Sequence, residues 1–108
     1  MRLKLALLIP ILVLLITPYS LFAQRDDRED VSIKARAFTP AALRVKKGQT
    51  VIWKNNDNAD HTVDAEDGSF SSGTIKSGKT FKYTFKKAGK YAYSCQLHPR
   101  MKGTIVVE

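Results

Sequence analysis

The sequence predicts an all-β domain, a two-sheet Greek-key β-sandwich of seven or eight strands. Apolar and polar residues alternate with period two through most of the chain after residue 30, the pattern of half-buried strands. Glycine or proline interrupts the chain every ten residues or so, the spacing of short strands joined by turns. No window keeps helical spacing for more than about three turns.

The first segment stands apart from this pattern. Arg2 and Lys4 precede an uncharged run from Leu5 to Ile16, and the small residue Ala23 sits before the polar "QRDDRED". That order is expected of an export signal spanning 1–23. The apolar run contains Pro10 and is short of the ~20 residues that a bilayer-spanning helix needs. If the segment is instead retained, it anchors the chain to a membrane; the protein is exported, periplasmic for example, in both cases. Residues 24–30 hold no apolar side chain and are expected to form a short disordered leader. The folded domain is expected over 31–108.

Within it, "VSIKARAF" places Val31, Ile33, Ala35 and Ala37 on one face of a first strand. Pro40 breaks the chain, Leu43 and Val45 belong to a second strand, and "KKGQ" is a turn. Val51 and Trp53 share the inner face of the next strand, and "NNDNAD" is a loop by composition. "HTV" is expected as a short strand. Phe81, Tyr83 and Phe85 point one way while Lys82, Thr84 and Lys86 point the other. After the "KKAG" turn, Tyr91, Tyr93 and Cys95 continue the inward series, and "GTIVVE" closes the sheet.

Charge and cysteine usage narrow the function. Eighteen basic residues face ten acidic ones, a net charge of +8, or +6 without Arg2 and Lys4. A cationic exported chain favours acidic protein partners, and nucleic acid is not one it meets. The six lysines from Lys76 to Lys90 read as the solvated face of strands. Asp57, Asp60, Asp64, Glu66 and Asp67 do not match a calcium-loop spacing and read as loop solubility. A small exported domain is often stapled by disulfides, yet Cys95 has no partner within the chain. It is an intermolecular bridge, a stray thiol or a metal ligand.

The stretch "YSCQLHPRM" weighs toward a ligand. It gathers Cys95, His98 and Met101 just before the last strand, and the other histidine, His61, follows the polar loop. Loops from distant strands meet at one end of a sandwich, so His61 can join the set. One thiolate and two imidazoles form a trigonal site, and a thioether supplies a weak axial contact; that combination suits copper. Zinc accepts one Cys and two His but has no use for Met101. A Cys95–His98 nucleophilic pair fits poorly, because nothing adjacent orients the imidazole.

From Val31 to the C-terminus the sequence resembles the cupredoxins, the small blue copper proteins. "FTPAALRVKKGQTVIWKNNDNADHTV" is similar to the family's first half, with His61 as first ligand. "FKKAGKYAYSCQLHPRMKGTIVV" is similar to its second half, with Cys95, His98 and Met101 as the others. The short ligand loop is most like that of amicyanin and shorter than in plastocyanin or azurin. Where the family often has Asn after the first histidine to tie the ligand loops together, this chain has Thr62, whose hydroxyl can make the link.

The resemblance implies one copper ion cycling between Cu(I) and Cu(II), and a monomeric electron carrier rather than an enzyme. Its partners are expected to be redox proteins, acidic ones such as a c-type cytochrome or a dehydrogenase. His98 is implied as the electron port, with Leu97, Pro40 and Pro99 as an apolar rim. The rival reading is a copper storage or delivery protein.

Overall fold

The computed structural model describes residues 27–108, so the expected export signal (1–23) and the first residues of the expected leader lie outside the described residues. Eight strands run in chain order: β1 (Arg28–Lys34), β2 (Ala37–Thr39), β3 (Ala42–Val45), β4 (Thr50–Asn55), β5 (Asp64–Ala65), β6 (Thr80–Thr84), β7 (Gly89–Ser94) and β8 (Lys102–Val107). They form two four-stranded sheets, β2-β1-β4-β6 and β3-β8-β7-β5. The expected all-β sandwich is what forms. Each sheet is mixed, because β1 pairs with β4 in parallel and β3 pairs with β8 in parallel.

Three local expectations need correction. The first strand begins before Val31: Arg28, Glu29 and Asp30 already pair with Thr50, Val51 and Ile52, so part of the expected leader is sheet. Polar composition did not prevent this, since backbone pairing with β4 needs no apolar side chain. Next, "VSIKARAF" is a hairpin and not one strand. Ala35 and Arg36 occupy left-handed backbone, with φ of 53° and 55°. Val31 and Ile33 point inward as expected, but Ala35 and Ala37 are exposed and Phe38 takes the core position. Left-handed backbone costs a non-glycine residue about 1 kcal/mol or more, so something must hold this turn. Last, "HTV" is not a strand: His61 makes an isolated bridge to Ile75, and β5 begins at Asp64.

The alternation in the sequence becomes the core. Val31, Ile33, Val51 and Trp53 from one sheet meet Tyr93, Ile105 and Val107 from the other, with Cys95 just past the end of β7, and all are buried. Burial of each large apolar side chain stabilises the fold by about 1.5–3 kcal/mol. Trp53 stacks edge-on against Tyr93 with ring centroids 5.5 Å apart, and Phe38 does the same to Tyr93 at 4.8 Å. Burial pushes the Tyr93 phenol up to about 12. Both β4 and β7 end at the same end of the sandwich as the β1–β2 turn, and there the loops carrying His61 and Cys95 meet.

Gly103 in β8 is opposite Tyr93 in β7. A Cβ at this position would lie 2.3 Å from Tyr93 Cζ, and the ring is wedged between Phe38 and Trp53 with no room to withdraw. Gly103→Ala is therefore expected to cost about 1–3 kcal/mol by overpacking. A drop in urea midpoint measures it; an unchanged midpoint means that the ring yields.

Candidate metal centre

Two loops supply the site. The β7–β8 loop runs from Cys95 to Met101 and is closed by its own backbone: Cys95 N–H donates to Met101 O at 3.2 Å, and Met101 N–H donates to His98 O at 2.9 Å. Seven residues so pinned hold Cys95 and His98 on one side. The other loop leaves β4 at Asn55, a fully buried residue. Its amide nitrogen donates to Ala59 O at 2.9 Å and Ile75 O at 2.8 Å, and its amide oxygen accepts from Asp57 N–H at 2.9 Å. A buried amide that satisfies both of its ends fixes the loop around it. Backbone bonds between His61 and Ile75 in both directions then seat the histidine.

The ligand-type atoms of His61, Cys95 and His98 lie within 4.8 Å of one another. Cys95 Sγ is 3.8 Å from His61 Nδ1 and 3.8 Å from His98 Nδ1. Metal bonds of about 2.0–2.3 Å opening at a trigonal angle separate sulfur from nitrogen by about 3.8 Å, so both sulfur–nitrogen edges already fit a bound ion. His61 and Cys95 are fully buried, while His98 is half-buried at the surface. Met101 is also buried and lines the same surface depression as His98. The four residues singled out by sequence thus fall on two adjoining loops, and three of them converge.

Thr62 joins the two loops. Its backbone N–H donates to Cys95 Sγ at 3.3 Å, and its hydroxyl accepts from Gln96 N–H at 2.8 Å. The hydroxyl proton goes to Asp64 at 2.6 Å, and Asp64 in turn accepts from Ser71 Oγ at 2.6 Å. The sulfur lies 3.8 Å from the same hydroxyl, a longer and weaker contact. The link expected of Thr62 is therefore present.

Asp57 is the residue that sequence reasoning missed. Its carboxylate accepts from Ala35 N–H at 2.6 Å and Arg36 N–H at 3.0 Å, and it lies 2.8 Å from His61 Nε2. The Arg36 and Ala35 amides and the His61 ring hold its carboxyl below the usual value, against partial burial. Asp64 was misread in the same way. By contrast Asp60 pairs with Lys76 at the surface, and Glu66 and Asp67 are exposed, as a loop-solubility role requires. A carboxylate four residues before His61 was the available signal.

This geometry has close parallels among known proteins. A family profile described as a cupredoxin-like domain matches residues 5–107. The amicyanin of Paracoccus denitrificans is 31% identical over 97 residues, covering 85% of this chain and 74% of that one. The plastocyanin of Scenedesmus fuscus is 31% identical over 98 residues, covering 73% of this chain and all of its own. A solved Cu(I) form of an amicyanin variant superposes with a TM-score of 0.72 at 34% identity, covering 80% of this chain and 88% of that one. With a thiol and two imidazoles converging at the end of a two-sheet sandwich, the chain belongs to the cupredoxin family.

Proposed function

We propose that this chain is an exported electron carrier holding one copper ion through His61, Cys95 and His98, with Met101 as a weak axial contact. The observation that carries this reading is the convergence of one sulfur and two imidazole nitrogens on loops already pinned by hydrogen bonds. The donor set is soft and mixed, which suits copper better than zinc or a hard cation. Amicyanin and plastocyanin relatives point the same way.

A bound copper supplies the one-electron couple between Cu(II) and Cu(I). The protein does the rest. The Thr62 N–H aimed at Cys95 Sγ stabilises negative charge on sulfur, and the Thr62 hydroxyl keeps the two loops at fixed separation. Donors held this way move little when charge changes, so little reorganisation opposes transfer. His61 and Cys95 lie inside, which leaves the half-buried His98 ring as the group through which an electron enters and leaves.

Storage or delivery is the rival reading. Delivery calls for donors that open and exchange, whereas here His61, Cys95 and Met101 are all buried. Voltammetry of the copper-loaded protein with a chelator present separates the two. A carrier gives a reversible one-electron wave and keeps its copper through repeated cycling. Loss of the metal on reduction would sink the carrier reading.

The partner reading is that of an acidic redox protein. Leu97, the one large hydrophobic residue exposed among those described, lines a depression with His98, Pro99, Arg100, Met101 and Arg36. Pro40, expected at this rim, is not among the lining residues. Two guanidinium groups around an apolar floor would attract an acidic face and then exclude water from it. Lys86 follows β6 at the opposite end, where Phe85 O accepts from Gly48 N–H. With a screening length of about 10 Å at 0.1 M salt, transfer to an acidic c-type cytochrome should slow as salt rises. Arg100→Glu should slow association more than Lys86→Glu does. Equal effects in stopped-flow rates would mean whole-molecule charge and not this depression.

A further inference from the structure

The Ala35–Arg36 turn poses a problem that the sandwich alone does not solve. A two-residue hairpin with left-handed backbone at both positions favours Asn and Gly, and this chain offers Ala and Arg. Their consecutive N–H groups both point at the carboxylate of Asp57, with Ala35 N–H on Oδ1 at 2.6 Å and Arg36 N–H on Oδ2 at 3.0 Å. A carboxylate that accepts two backbone amides in this way replaces the stabilisation that the residue types do not provide.

The same Oδ2 atom is 2.8 Å from His61 Nε2. A carboxylate can only accept, so His61 carries its proton on Nε2 and leaves Nδ1 with a free lone pair. Nδ1 is the atom 3.8 Å from Cys95 Sγ. Asp57 is itself held, since its N–H donates to Asn55 and the following chain is fixed by Asn55 bonds to Ala59 and Ile75. Arg36, whose N–H is bonded to this same Oδ2, lines the depression that contains His98.

We propose that Asp57 is a positioning residue that joins the metal centre to the docking face: one carboxylate sets the tautomer and orientation of His61 and holds the left-handed turn that presents Arg36. The proposal rests on the copper reading for its redox consequence and on the partner reading for the docking face. A negative charge hydrogen-bonded to a ligand ring raises the basicity of that ring and favours Cu(II) over Cu(I). Because the turn and the ring share Oδ2, a change at one is felt at the other.

Asp57→Asn keeps the size of the side chain but leaves one acceptor oxygen where three N–H groups need a partner. The first arm uses metal-free protein and NMR. In the unsubstituted chain, long-range nitrogen–proton correlations should show a single His61 tautomer protonated at Nε2, and the Ala35 and Arg36 amides should exchange slowly. Asp57→Asn should speed exchange of at least one of those amides tenfold or more and should mix the His61 tautomers. Nδ1 protonation of His61 in the unsubstituted chain, or unchanged amides and tautomer in the variant, overturns the proposal without reference to copper. The second arm measures the potential of the copper-loaded pair. Asp57→Asn should shift the equilibrium toward Cu(I) about tenfold, an increase of about 59 mV for one electron. An unchanged or lowered potential overturns the redox consequence. Failure of the unsubstituted chain to bind copper at all counts against the function proposed above, while the metal-free arm still decides whether Asp57 links ring and turn.

Discussion

Everything at this site depends on holding a buried sulfur next to two imidazoles that come from different loops. Thr62 meets that constraint. Its amide reaches Cys95 and its hydroxyl reaches Gln96, so the loop after β4 and the loop after β7 are fastened to each other at the sulfur. The fastening is itself backed by Asp64, which accepts the Thr62 hydroxyl proton and a second hydrogen bond from Ser71 Oγ. A chain of bonds with no spare donor leaves the loops little freedom to separate.

The sandwich is the platform for this arrangement. Parallel pairing of β1 with β4 and of β3 with β8 brings strand ends from both halves of the chain to one end of the molecule. Behind the site, Tyr93 continues the inward series of β7 that leads to Cys95, and Gly103 across from it leaves space for the ring. The metal-proximal end is therefore set by packing that begins two residues before the cysteine.

Much of this was legible in the sequence because period two is a local property. Val51 with Trp53, and Tyr93 with Cys95, are inward as their alternation requires. The ligand-type residues were legible by rarity: the chain has one cysteine and two histidines, and the structure gathers all three. The β1–β2 turn was not legible, since nothing in "KARA" signals left-handed backbone. What permits it is a carboxylate 21 and 22 positions away. Asp57 was misassigned for the same reason, because composition describes a loop and says nothing about which of its acids turn inward. The start of β1 was missed because backbone pairing with β4 draws polar residues into the strand, which an apolar pattern does not signal.

The most direct measurement is the addition of Cu(II) to the purified protein, followed by visible absorption and electron paramagnetic resonance. The account predicts one copper bound per chain, an intense thiolate-to-copper absorption band and a narrow hyperfine splitting, with the band lost in Cys95→Ser. A colourless complex, or one whose spectra are the same with and without the Cys95 sulfur, would contradict it.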